Sequence, residues 1–426
     1  MLISNIANIS RIVFLIVLGV ACLLFAYRII YALMAFGKEV QFKDAKENHR
    51  FAVLIPARNE SQVIRDLLEA LKNQDYDANK IDTYIVVKDP EDPTIKIGEE
   101  YGAYVLVHPD QKCKGDALDF AIKNIYEKQE KYDAFAIFDA DNIPKQDFIK
   151  EINKALDAGY DIGMGYRNSK NWNDNWVSAG SSMTFTFVNT LSNKGRSKLG
   201  VNNIFSGTGY FIKESVIEPY KSWPFKTLTE DYEISLYAIV KNLKTTYVER
   251  AEYFDEQPTS IKTSCKQRKR WIKGYFTVRK NYVGKIIKGL FKDKQNKWSK
   301  VDQTFGLLPV VMIVASTIIY LALQIAFTTW AAIEGLSVLP FILEFIYTLG
   351  FVYFGLMIVS IIGMVAERKR VKFSAKTVAN VMFLNPIFTI SWIPIAVAAL
   401  FSKNLGWATI EHTKSISKKQ NSKTEK

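Results

Sequence analysis

From Phe51 onward, short apolar runs alternate with stretches of helical period. FAVLIP comes first, then a helix near Ser61–Asn73, TYIVV, YVLV, a helix near Gly115–Lys128, and AFAIF. Short apolar runs bounded by polar residues read as strands, and their alternation with helices predicts an α/β domain with a mostly parallel sheet covered on both faces. Ligands of such sheets sit outside the carboxyl ends of the strands. Those ends carry Pro56-Ala57-Arg58-Asn59-Glu60 after the first run, Lys88-Asp89 after the second and Asp139-Ala140-Asp141 after the fourth.

A second pattern is made of longer apolar stretches. Ile12–Gly37 is broken only by Arg28, Leu307–Ile333 is uncharged, Leu336–Ala366 carries only Glu344, and Val378–Phe401 is uncharged. A spanning helix needs about 20 apolar residues, so each is long enough. The first exceeds a signal-peptide core and reads as a retained anchor, with Arg28 snorkelling to the interface. Lys38, Lys43, Lys46 and Arg50 follow it, which puts the N-terminus outside and the next domain in the cytoplasm. Asn385-Pro386 and Pro394 interrupt the last stretch, and Lys414, Lys418, Lys419, Lys423 and Lys426 follow it. That combination predicts an interfacial or re-entrant segment and a cytoplasmic tail.

Between these patterns, WVSAGSSMTFTFVNTL places Gly180, Met183, Phe187 and Leu191 on one helical face ahead of Lys194, Arg196 and Lys198. A packed core helix fits this spacing; an amphipathic helix on the membrane surface is the expectation. Around Gln267, the residues Trp271, Tyr275, Val278 and Tyr282 share a face among lysines. The expected organisation is an anchor at 1–37, a catalytic domain at 38–260, a basic interfacial helix region at 261–300, a transmembrane region at 301–405 and a basic tail at 406–426.

Composition allows both parts, for the 426 residues are 48% apolar and 23% charged. The net charge of +13 is concentrated, with fourteen Lys and Arg against Asp293 alone in Lys262–Lys300. Such a run suits nucleic acid or an anionic membrane. It leads straight into an apolar span, so membrane lipids are the expected partner and nucleic acid is not. Cys22, Cys113 and Cys265 have no metal-ligand spacing, which fits a reducing cytosol.

Three motifs carry the chemistry: Asp139-Ala140-Asp141, then Thr229-Glu230-Asp231, then Gln267-Arg268-Lys269-Arg270-Trp271. Singly they are weak. An Asp-x-Asp is often a turn, and an acidic pair opening a helix is a common cap. In this order and spacing, over roughly Phe51 to Tyr275, they resemble the processive branch of family 2 glycosyltransferases, which includes the cellulose, hyaluronan and poly-N-acetylglucosamine synthases. The resemblance implies a GT-A (nucleotide-diphospho-sugar transferase) domain between transmembrane and interfacial helices. It also implies an inverting enzyme of the cell membrane that passes sugar from a UDP-sugar to a β-linked polysaccharide.

Sugar transfer needs a counter-charge on the departing diphosphate, a base for the acceptor hydroxyl and a wall that aligns the acceptor. Asp139 and Asp141 match the pair that binds Mg²⁺ or Mn²⁺, with Asp141 as the direct ligand. Asp231 matches the general base, in a catalytic triplet with Glu230 and Thr229. Pro56, Ala57, Asn59 and Glu60 resemble the loop around the base, and Asp89 the carboxylate near base and ribose, although KDPEDP departs from the usual pattern. Lys114, with Gly115, resembles the turn near the diphosphate and is otherwise a surface turn. Gly207 and Thr208 match the acceptor loop, whose alternative is a tight turn. Gln267, Arg268 and Arg270 match donor-phosphate contacts, and Trp271 an acceptor-stacking face; the alternative is a basic interfacial helix. Trp407-Ala408-Thr409 and His412 match a terminal motif loosely.

A lipid-linked acceptor glycosylated once or a few times is the competing expectation, because three or four spans enclose a polymer pore poorly. A homo-oligomer or an accessory secretion subunit would supply the missing wall. A decayed, non-catalytic scaffold is disfavoured, since every acidic position is present.

Overall fold

A computed structural model describes residues 2–306 and 308–402, with side chains described from residue 8 onward; Trp407, Ala408, Thr409, His412 and the lysine-rich tail lie outside the described residues. The chain opens with α1 (Leu2–Phe25) and α2 (Arg28–Ala35). The α/β domain follows as β1 (Phe51–Pro56), α3 (Ile64–Lys72), β2 (Ile81–Val87), α4 (Thr94–Glu100), β3 (Tyr104–Val107), α5 (Lys114–Glu127) and β4 (Ala134–Ile137). It continues with β5 (Ile143–Pro144), α6 (Phe148–Asp157), β6 (Ile162–Ser169), α7 (Trp176–Phe185), a π-helix (Thr186–Asn193), α8 (Lys194–Lys198), β7 (Tyr210–Lys213), α9 (Glu214–Ile217), α10 (Glu230–Val240) and β8 (Thr245–Asp255). The remainder is helical: α11 (Ile261–Lys292), α12 (Lys297–Phe305), α13 (Leu308–Ile333), α14 (Leu339–Glu367), α15 (Ala375–Ala379), a second π-helix (Asn380–Leu384), α16 (Asn385–Ile390) and α17 (Trp392–Leu400).

The strands form one sheet in the order β3-β2-β1-β4-β7-β6-β8-β5. The pairs β1/β2, β2/β3, β1/β4 and β6/β8 are parallel; β7 runs antiparallel to β4 and β6. Alternation along β1 sends Ala52 and Leu54 into a core with Leu118, Ile122, Trp223 and Ile234, while Phe51, Val53 and Ile55 face Leu67, Ile149 and Ile152. Both faces are thereby dry, which is why these strands read as continuous apolar runs. β7 starts where β4 ends, Tyr210 opposite Ile137, so the loop before β7 reaches the edge at which β1, β2 and β4 finish.

The first apolar stretch is two helices, not one span. α1 stops at Phe25, and α2 packs on α8, where a Cβ on Gly195 would lie 2.1 Å from the Tyr31 carbonyl oxygen. Arg28 does not snorkel. It pairs with Asp302 of α12 at 3.1 Å, and Asp302 also takes the Tyr27 hydroxyl and, at 2.5 Å, Arg196. Asp302 is fully buried, so this node joins α2, α8 and α12. Breaking a buried ion pair by removing one partner costs about 3–5 kcal/mol. Asp302→Ala, which leaves two guanidinium groups facing each other, is expected to lower the thermal midpoint of the detergent-purified protein; an unchanged midpoint would refute the role.

The 176–193 segment also departs from expectation, for it is buried, not laid on a membrane surface. Gly180 meets the Phe388 ring of α16, Met183 lies against Gly363 of α14, and Thr190 donates to Glu367 at 2.5 Å. Lys194 pairs with Glu249 at 2.9 Å, so its charge goes to protein. The spacing predicted an apolar face correctly, but protein covers it.

Four helical segments are long and apolar enough to cross a membrane: Asn8–Phe25, Lys297–Ile333, Leu339–Glu367 and Ala375–Leu400. α1 packs on both α13 and α14, and Glu344 is met by Arg11 at 2.8 Å. The last segment is interrupted, as its prolines predict, by the π-helix at Asn380–Leu384 and a turn at Ser391. Its α16 and α17 pack on α7, α14 and α11.

Candidate active site

Strand direction collects the polar residues at one edge. Lys114, the first residue of α5, crosses to the end of β4, where its ammonium donates to Asp139 Oδ1 at 2.5 Å and to the Gly207 carbonyl at 2.7 Å. It also lies 3.8 Å from Glu230. One cation therefore joins the acidic pair, the loop before β7 and the head of α10. Burial would lower the Lys114 ammonium, but Asp139, Glu230 and Asp231 outweigh it and hold it raised.

The two carboxyl groups opening α10 respond to the same enclosure. Burial pushes Glu230 up to about 7 against the pull of Lys114, with Asp231 and Asp139 adding to the rise. Asp231 is raised as well, chiefly by burial, although the Tyr232 amide, Lys114 and Arg167 oppose it. Two like charges in one dry cluster resist joint ionisation, which suits a carboxylate to accept a proton. The Asp231 carboxylate approaches within 3.8 Å of the place a Cβ would take on Gly207.

That loop is held rigidly. Gly207 and Gly209 have φ of +89° and +66°, and a Cβ on Gly209 would strike the Tyr253 ring at 2.1 Å. Side chains larger than hydrogen are excluded there for both reasons. The Tyr253 hydroxyl donates to the Thr208 carbonyl at 2.9 Å, and the Thr208 hydroxyl oxygen accepts from the Asp139 amide at 2.8 Å. Asp141 is buried; Asn142 bridges it to Asp255, donating at 3.3 Å and 2.9 Å respectively. Two hard carboxylates beside a lysine fit a divalent cation that takes its other ligands from phosphate. A separate Glu47–His49–Asp157 group, with ligand atoms within 4.8 Å of one another, joins the segment before β1 to the end of α6 and is no part of this site.

Of the residues expected around the donor, Pro56 and Ala57 are buried, Asn59 and Asp89 exposed, and Glu60 half-buried. The residue that ties the two loops is one the sequence reading passed over. Asp92 accepts from the Asn59 amide and the Thr94 amide, each at 2.9 Å. Asn59 at φ +61° is fixed by that contact. The Asp92-Pro93 pair at the head of a helix was the available signal.

Gln267, Arg270, Trp271 and Gly274 share one face of α11, and Gly274 abuts Thr229 so closely that a Cβ would lie 2.5 Å from its Cγ2 and Oγ1. Arg268, expected at the donor phosphate, does not share that face. One residue on from Gln267 is about 100° around a helix. Its guanidinium stacks on Phe388 at 4.1 Å, donates to Ser391 Oγ at 2.8 Å, and is 1% exposed. Trp271 stands between Phe185 at 5.8 Å and Trp392 at 6.3 Å. Gly274→Ala is expected to cost about 1–3 kcal/mol by overpacking against Thr229. A calorimetric melt reports it, and an unshifted melt would show that the helices can part.

Arg167 of β6 was also missed. Its Nε donates to Asp255 at 3.0 Å, one Nη donates to the Ser206 carbonyl at 2.8 Å, and it lies 3.7 Å over the Phe185 ring. It links the loop before β7 to the aromatic pair that includes Trp271. No local signal marks it, because its partners come from β8, α7 and the loop before β7.

A mixed sheet with an acidic pair at the end of β4, faced by a lysine and a second acidic pair, defines a GT-A glycosyltransferase fold. The chain belongs to the Glycosyltransferase like family 2, whose sequence profile matches residues 49–274, more than half of its length. It is similar to the probable glycosyltransferase YdaM of Bacillus subtilis, 25% identical over 272 residues, 60% of this chain and 61% of that one. A probable glucomannan 4-beta-mannosyltransferase 11 of Oryza sativa subsp. japonica is 24% identical over 292 residues, 65% of this chain and 50% of that one. The match thus spans about half to three-fifths of these relatives' length. Among solved structures, the mannosyltransferase PcManGT from Pyrobaculum calidifontis, in complex with GDP-Man and Mn²⁺, shares the fold. Its TM-score is 0.57 at 15% identity, covering 94% of this chain and 100% of that one.

Proposed function

We propose that this family 2 enzyme is a membrane-embedded, metal-dependent, inverting transferase that extends a β-linked polysaccharide from a nucleotide sugar, with its catalytic domain in the cytoplasm. The observation that carries the reading is the single cluster in which Lys114 touches Asp139, the Gly207 carbonyl and Glu230, with Asp231 against Gly207. Donor-phosphate and acceptor-base functions are thereby adjacent, as an in-line displacement requires. A Mg²⁺ or Mn²⁺ on Asp141 and Asp139 would offset the charge that develops on the departing diphosphate. Lys114 binds that diphosphate, and Asp231 takes the proton of the attacking hydroxyl. Gly207 and Thr208 hold the acceptor sugar, and Trp271 with Phe185 offers it an aromatic wall. Asn59, Glu60 and Asp89 border the nucleotide base, and Gln267 and Arg270 lie on the α11 face that meets Thr229.

Four apolar segments support membrane embedding, and the basic residues flanking them favour a cytoplasmic domain at 38–260 between anchor and transmembrane region. Two specific observations favour variants of this reading. The interrupted fourth segment leaves few continuous helices to wall a pore, which favours a lipid-linked acceptor or a homo-oligomer. The glucomannan mannosyltransferase relative and the GDP-Man complex favour GDP-mannose over a UDP-sugar as donor. Membranes containing the protein, given radiolabelled UDP-glucose, UDP-N-acetylglucosamine or GDP-mannose, test all three points. A long, solvent-insoluble product supports polymer synthesis, a short solvent-extractable one the lipid acceptor, and no incorporation from any nucleotide sugar would overturn the reading.

A further inference from the structure

The corner between α11 and α12 carries an exposed patch that sugar transfer does not use. α11 buries Val278, Tyr282 and Ile286 against α10. The opposite side holds Ile287 and Phe291, which are 40% and 83% exposed, and Trp298 beyond the turn is 47% exposed. Around them Lys288, Lys292, Lys294 and Lys297 are all exposed. The one acid in the 261–300 stretch, Asp293, pairs with Lys300 at 2.9 Å, and among the described residues no ion pair holds any of the four lysines.

Contacts to the first and second apolar segments set the height of this corner. Trp298 donates its indole N–H to the Tyr31 hydroxyl at 2.9 Å and meets the Tyr27 ring edge-on at 5.5 Å, both residues lying just past the end of α1. α12, in which Trp298 is the second residue, leads to the start of α13 and is pinned to Arg28 through Asp302. The patch therefore stands where two apolar helices end on the same side. Trp at the boundary of an apolar span and lysines interleaved with exposed aromatic rings are matched to lipid headgroups, where apolar bodies and cationic tips are both satisfied.

We propose that the α11–α12 corner is a contact site for anionic phospholipid: Phe291 and Trp298 enter the headgroup boundary of the cytoplasmic leaflet, and the four lysines hold phosphodiester headgroups. The proposal rests on the membrane reading above. It would also brace α11, whose Gly274 face sets Thr229, directly against the bilayer.

The test uses the full chain with Cys22, Cys113 and Cys265 replaced by Ser, and Phe291→Cys carrying an environment-sensitive fluorophore. The protein is reconstituted in phosphatidylcholine vesicles containing nitroxide-labelled phosphatidylglycerol or nitroxide-labelled phosphatidylcholine. A second preparation carries the fluorophore at Ile319→Cys, on an outward face of α13. The expected result is quenching at residue 291 by shallow nitroxides, with phosphatidylglycerol preferred at least about fivefold, the contribution of one lysine near an anionic surface. Replacing the four lysines with Gln should bring that preference close to unity. Quenching at 319 by deep nitroxides without quenching at 291, or equal quenching by both lipids at 291, would overturn the proposal while leaving the membrane reading intact. Absence of quenching at 319 would overturn the membrane reading, and the proposal with it.

Discussion

Asp231→Asn is expected to lose at least about 100-fold in transfer while nucleotide affinity changes by less than about threefold, because base catalysis is typically worth about 10² to 10⁴-fold. Asp231 lies against Gly207, the proposed acceptor contact, whereas Asp139, paired with Lys114, is assigned by the same proposal to the metal and the donor diphosphate. Asn keeps the shape of the side chain and removes its basicity. Burial raises the Asp231 carboxyl, so the native group is a stronger base than an exposed aspartate while Lys114 and Arg167 still favour its ionised form. A calorimetric titration with nucleotide diphosphate, run beside a transfer assay on the same preparation, separates the outcomes. Parallel loss of binding and turnover would make Asp231 a donor ligand or a helix cap.

Asp141→Asn should act on the other half of the site. Its carboxylate is buried beside Asn142, which in turn holds Asp255, so the carboxamide can keep the same hydrogen bond. What it would lose is the one negative charge that the proposed function assigns to a divalent ion. Affinity for Mn²⁺ with nucleotide present is expected to fall at least about 100-fold, more than loss of an outer-shell partner typically costs, and turnover should become undetectable. Electron paramagnetic titration of Mn²⁺ follows the ion directly, without reliance on activity. Full turnover of the variant, or of the native enzyme in excess EDTA, would refute the metal assignment.

Much of this arrangement was legible because it is local. Strand ends are marked where an apolar run meets a charge, and chain direction alone brings the ends of β1, β2 and β4 to one edge. The helical period was legible too. Applied strictly to α11 it separates Arg268 from Gln267, Arg270 and Trp271, a distinction that motif matching obscured. Asp92 was readable as an Asp-Pro helix start. Arg167, Asn142 and Asp255 were not readable as one network, since they stand on β6, after β4 and at the end of β8, and their contact depends on where β7 inserts.

By itself the sequence determined the α/β alternation, the apolar segments, the break in the last of them and the order of the acidic motifs. Each follows from backbone geometry and periodicity within a few turns of chain. Tertiary structure alone decided what covers each apolar or charged face. The 176–193 stretch has the period of a membrane-surface helix, yet α14 and α16 enclose it; Arg28 has the position of a snorkelling residue, yet Asp302 receives it. Period and charge state that a face must be covered or a charge compensated. Lipid, water and protein can each meet that requirement, and the choice among them is made by segments more than a hundred residues away.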